Sequence, residues 1–131
     1  MLIPTTSIAL AAFFAIFSVV LSVQTSLQRV KLSVGHGDGG DDTLRRRIRA
    51  HGNFTEYAPL SVILLGFMEM LGAAHQVVLG IGLAMALARL VHAVGMLYTS
   101  KPFLQGAGML LQHAAFLFCA VRLLIFVCNA A

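Results

Sequence analysis

The chain has 131 residues and carries few charges: 59% are hydrophobic and 11% charged, where a typical soluble domain is about 25% charged. A mean hydropathy of +0.89 excludes a disordered chain and an ordinary soluble globule, and 12 Gly with 2 Cys exclude a collagen-like or cysteine-stapled scaffold. What remains is one integral membrane domain covering residues 1–131.

The charges are clustered, and the gaps between clusters define the elements. Residues 1–28 carry none. A first span is expected at 4–27, since a helix crosses the hydrocarbon core with about 20 apolar residues. Pro4 followed by Thr5, Thr6 and Ser7 suits a helix start. The segment has no basic n-region and outruns the usual apolar stretch of about 7–15 residues, so it reads as a retained helix and not a signal peptide.

Arg29 and Lys31 open a loop expected at 29–43, and Gly35 to Thr43 is its flexible part, with four glycines and three aspartates. Asp42 or Thr43 can cap the next helix.

The second helix is expected over 44–73, with its membrane span beginning near 52. Its first turns carry Arg45, Arg46, Arg47 and Arg49 and should project into the interface. Arg49, Asn53 and Glu56 are spaced i, i+4, i+7 and share a face, with Tyr57 flanking it. Arginine suits a carboxylate in fork geometry, glutamate an ammonium group, and asparagine offers a donor and an acceptor. Ionisable groups at membrane depth mark a site by default. The alternative is a helix-end network, with Arg49 snorkelling to headgroups. Pro59 should bend this helix by removing the bond to the Thr55 carbonyl.

A third span is expected at 76–98. Gly80, Ala84 and Ala88 repeat every four residues, as do Gly82 and Ala86, a pattern for close helix packing. Arg89 and His92 share a face, and Arg89 is expected to oppose Glu56 across a polar pocket. A fourth span is expected at 104–128. There Gln112 and His113 suit interhelical hydrogen bonding, and Arg122, with Glu69 of helix two, falls near the opposite interface. Cys119 and Cys128 lie nine apart on one helix, too far for a disulfide. No metal site is expected.

The fold class is therefore all-α: a four-transmembrane-helix bundle of up-down topology in a lipid bilayer. Loops 29–43 and 99–103 hold Lys and Arg and the 71–76 connection holds none, so both loops are expected to be cytoplasmic and both termini periplasmic. The net charge of +4 follows this loop logic. No nucleic-acid partner is expected, because no exposed basic domain is present.

The stretch Arg47-Ile48-Arg49-Ala50-His51-Gly52-Asn53-Phe54-Thr55-Glu56-Tyr57-Ala58-Pro59 resembles the signature of the MAPEG family, membrane-associated proteins in eicosanoid and glutathione metabolism. Val34 to Gly40 and Phe67-Met68-Glu69-Met70 resemble its bacterial inner-membrane, YecN-like branch. The resemblance implies a homotrimer that binds glutathione near the cytoplasmic face and takes a hydrophobic small-molecule substrate from lipid. It implies glutathione contacts from Arg49, Asn53, Glu56 and Tyr57, with His51 close by, and from Arg89 and His92. Arg29 resembles the basic residue that ends the family's first helix.

Two positions depart from the family pattern. Met96 stands where a tyrosine is usual, and Gln105 lies near the place of the arginine that activates the thiol. Thiolate formation needs a nearby positive group, so the expected catalytic candidates are Arg29, Lys101 and a protonated His92. Three readings stand: a glutathione transferase or peroxidase-like enzyme, a non-catalytic binding or structural subunit, and a small proton-coupled exporter. The last needs an acid deep in the membrane, and neither Glu56 nor Glu69 is counted there.

Overall fold

The computed structural model describes residues 3–99 and 102–130. They form four helices: α1 (Thr5–Leu32), α2 (Asp42–Met70), α3 (His75–Tyr98) and α4 (Pro102–Ala130). Short connections make neighbours antiparallel, as the up-down reading expects. Three of the helices, α1, α3 and α4, are long and apolar enough to cross a bilayer by themselves. The exception is α2, whose first half carries the arginines, Asn53 and Glu56. It packs against all three other helices, and that cover compensates for its polarity.

The helix ends differ from the expected ones for local reasons. α1 continues to Leu32, which places Arg29 and Lys31 in its last turn and not in the loop. Cations there are favoured by the helix dipole. Ser33 then turns left-handed at φ 55°, with its N–H donating to the Val30 carbonyl at 3.1 Å and that of Val34 to Arg29 at 3.0 Å, and these bonds close the helix. The N-cap of α2 is Asp41, one residue before the expected caps. Its carboxylate accepts from the Leu44 N–H at 2.6 Å and from Gln28 Nε2 at 3.2 Å, so one side chain caps α2 and ties it to α1.

The arginine run is partly structural. Arg46 donates to the Thr99 carbonyl at 3.0 Å and Arg47 to the Gln24 carbonyl at 2.8 Å. These bonds strap the start of α2 to the end of α3 and to α1. Arg45 instead pairs with Asp42 and Asp38 in the loop region. Helix α2 continues through Pro59.

At the far end of the bundle, the Glu69 carboxylate accepts from the Thr6 and Ser7 N–H groups, each at 2.9 Å, and from Ser7 Oγ at 2.7 Å. It satisfies N–H groups that a helix start leaves orphaned. Arg122 lies in a groove with Met68 and the 71–73 turn.

The core joins Phe14, Phe17 and Phe54, edge-on at 5.2–5.3 Å, with Leu65, Met85 and Cys119 fully buried. Helices α3 and α4 approach closely at two glycines. A Cβ on Gly108 would fall 2.7 Å from the Ala88 carbonyl oxygen, and one on Gly95 would fall 2.8 Å from the Gln105 nitrogen. Of the small-residue stripes, Gly82 meets Leu65 and Thr6, whereas Gly80 faces open space. Large apolar residues such as Ile16, Val23, Leu83, Leu110 and Leu117 point outward, as a lipid-facing surface does.

Candidate functional site

A cavity of about 530 Å³ lies between α2, α3 and α4. From α2 it is lined by Ile48, Arg49, Gly52, Asn53 and Glu56, from α3 by His92 and Met96, and from α4 by Pro102, Gln105, Gly106 and Met109. The i, i+4, i+7 face of α2 thus points into one space. Arg49 and Glu56 are exposed at its rim, Asn53 is half-buried, and His92 is buried. Its volume lies in the usual range for small-ligand pockets, about 300–1,000 Å³.

Arg89 lies behind this lining and is 1% exposed. Its Nη1 donates to Asn53 Oδ1 at 2.9 Å and its Nη2 to the Met109 sulfur at 3.7 Å. Its Cζ sits 4.9 Å over the Tyr57 ring, within cation–π range. The expected Arg89–Glu56 opposition is therefore replaced: among the described residues Arg89 is held by an amide, a thioether and a ring, and no carboxylate pairs with it. The cause is geometric: Asn53 and Tyr57 reach Arg89, whereas Glu56, three residues after Asn53, stands exposed at the cavity rim. Arg89 Nε has no hydrogen-bond partner.

The other expected residues fall in different places. Tyr57 does not line the cavity; its ring stacks under Arg89 and meets His113 edge-on at 5.6 Å. His51 is half-buried and outside the lining. Arg29 lies in a separate groove, with Nη1 donating to the Gly37 carbonyl at 2.8 Å, where it holds the loop. Lys101 lies outside the described residues. Gln112 donates to Ser61 Oγ at 3.0 Å, the interhelical bond expected of it.

Sequence reasoning noted Gln105 and Met96 only as departures, and it missed Gly106 and Met109 as lining residues. The available signal was Gly106 and Gly108 in an otherwise bulky apolar helix: Gly108 lets α4 come close to α3, and Gly106, where a Cβ would meet nothing within 4 Å, leaves space at the cavity. Gln105 Nε2 donates to the Gly95 carbonyl at 3.2 Å, so its amide is anchored to α3 at the cavity edge.

The model of the MAPEG family matches residues 7–125. The chain belongs to the MAPEG family. Among the curated relatives it matches are the inner membrane protein YecN of Escherichia coli strain K12 and its counterpart from Escherichia coli O6:H1 strain CFT073. Each is 38% identical over 89 residues, covering 65% of this chain and 68% of the relative. No solved structure matches it significantly. Every cavity-lining residue falls inside the MAPEG match.

Proposed function

We propose that this MAPEG protein binds glutathione in the α2–α3–α4 cavity. There it acts as a glutathione transferase or peroxidase on hydrophobic electrophiles or lipid hydroperoxides at the cytoplasmic face of a bacterial inner membrane. The observation that carries the reading is the convergence of Arg49, Asn53, Glu56 and His92 on one cavity. Glutathione has two carboxylates, an ammonium group, amides and a thiol. The lining fits that set: a guanidinium fork for a carboxylate, a carboxylate for the ammonium group, and amides that donate and accept. The Asn53 oxygen is already taken by Arg89, so its free amide protons offer donors to an anionic group.

When bound, glutathione supplies a thiolate nucleophile. Arg49 and Glu56 orient its charged ends, and Met96 and Met109 give the inner wall an apolar surface. Exposure of Arg49 and Glu56 in a single protomer supports a homotrimer in which a neighbouring protomer closes the rim. The arginine-bearing ends of α1 and α2 support a cytoplasmic placement for that side and a periplasmic one for both termini.

The test is calorimetric titration of glutathione into detergent-purified protein. Wild type should bind, and Arg49→Ala should weaken binding at least tenfold, about 1.4 kcal/mol. Absence of wild-type binding sinks the reading. The anchored, neutral Gln105 favours a second reading, a non-catalytic binding subunit. A panel of electrophiles and hydroperoxides decides between the two, since binding without glutathione-dependent turnover leaves only the second.

A further inference from the structure

We infer that Arg89 is the residue that holds a thiol bound in the α2–α3–α4 cavity in its thiolate form. This rests on the proposed binding of glutathione there and adds the activating charge that Gln105 does not supply.

The argument is a count of charge around the cavity. From α2, Arg49 and Glu56 line it with opposite signs and offset each other. From α3, His92 lines it and Arg89 stands one turn before His92. From α4, the lining groups Gln105 and Met109 carry no charge. Among the described residues, the unbalanced charge is that of Arg89. All its contacts are neutral: the Asn53 oxygen at 2.9 Å, the Met109 sulfur at 3.7 Å and the Tyr57 ring. One donor, Nε, has no partner.

A buried cation without a counter-ion is costly, and its field is little screened. Three of its neighbours, Asn53, His92 and Met109, line the cavity, so an occupant sits one residue from the guanidinium. An anion there lowers the cost of burying Arg89, and by linkage Arg89 stabilises that anion. A thiol provides one by releasing its proton to water at the rim. Arg29, engaged by the loop carbonyls, is not part of the lining.

The test reads the thiolate directly, by its ultraviolet absorbance, on glutathione bound at saturation to the detergent-purified protein. At neutral pH the thiolate fraction should exceed that of free glutathione about tenfold or more. It should fall to the free value in Arg89→Met and stay raised in Gly80→Ala, whose added methyl group meets nothing within 4 Å. Raising salt from about 0.1 M to about 1 M shortens the Debye length from about 10 Å to about 3 Å. The elevation should survive this, because Arg89 is buried whereas Arg49 is exposed.

Where Arg89→Met does not fold, the salt series on wild type decides alone. An elevation that collapses with salt assigns activation to Arg49 and overturns the inference. So does binding without any elevation, which leaves the glutathione-binding reading intact. Absence of binding, read separately by calorimetry, overturns both.

Discussion

The guanidinium of Arg89 on α3 donates to the carboxamide oxygen of Asn53 on α2 across 2.9 Å. That contact sets the orientation of the Asn53 amide, with the oxygen facing the protein core and the amide protons free for the cavity that Asn53 lines. It also gives Arg89 its shortest hydrogen bond, so a residue on the ligand surface is at the same time a stabilising element of the bundle.

Asn53→Ala should therefore lose more than ligand contacts. It leaves Arg89 Nη1 without its acceptor in a residue whose Nε already has no partner. Hydrogen bonds to charged groups contribute about 1.5–3 kcal/mol, and a loss in that range is expected in denaturant unfolding from mixed micelles. A change below about 0.5 kcal/mol, the usual scatter for inconsequential substitutions, would show that Arg89 finds another partner.

Glu69→Ala should loosen the opposite end. Three donors from the start of α1 converge on this carboxylate. Two of them are backbone groups that a helix start cannot otherwise satisfy inside the protein. A loss of about 2 kcal/mol is expected, with faster hydrogen exchange confined to the first turns of α1. Uniform exchange across the bundle would contradict a local role.

Two glycine substitutions separate packing from helix propensity. Gly108→Ala places a methyl group 2.7 Å from the Ala88 oxygen and the His92 nitrogen, and both are backbone atoms. Helix α4 must move off α3, at a cost of about 1–3 kcal/mol. Gly80→Ala meets nothing within 4 Å and should be neutral or stabilising by up to about 1 kcal/mol, the alanine advantage in a helix. Equal effects at the two sites would argue against the close α3–α4 contact.

Ser61 and Gln112 form a buried pair at 3.0 Å, and Gln112 Oε1 has no partner. Ser61→Ala alone should cost about 0.6–1.7 kcal/mol, the range for interhelical hydrogen bonds in membranes. The double variant Ser61→Ala, Gln112→Leu should recover most of it, because no donor is then stranded. The double-mutant cycle measures the coupling, and strict additivity would contradict the pair.

Much of this was legible along the chain. The gaps between charge clusters gave four helices, with errors confined to the ends. The loop was read too long because Arg29 and Lys31 look like loop residues, yet a helix C-terminus welcomes cations and α1 runs on to Leu32. The second helix was expected to cross from near residue 52, with its arginine-bearing turns in the interface. Its polar first half makes it depend on neighbours, and a hydropathy pattern does not show which neighbours cover it.

The sequence by itself determined the membrane class, the all-helical architecture, the shared face of Arg49, Asn53 and Glu56, and the family signature in residues 47–59. Those properties depend on composition and on a 3.6-residue period, both of which are local. Tertiary structure alone decided that Arg89 meets Asn53 and not Glu56, that Glu69 caps α1, that α4 supplies one wall of the cavity, and that Arg29 stands outside it. Each of these depends on the relative rotation and depth of two helices, which packing across the bundle sets and the period along one helix leaves free.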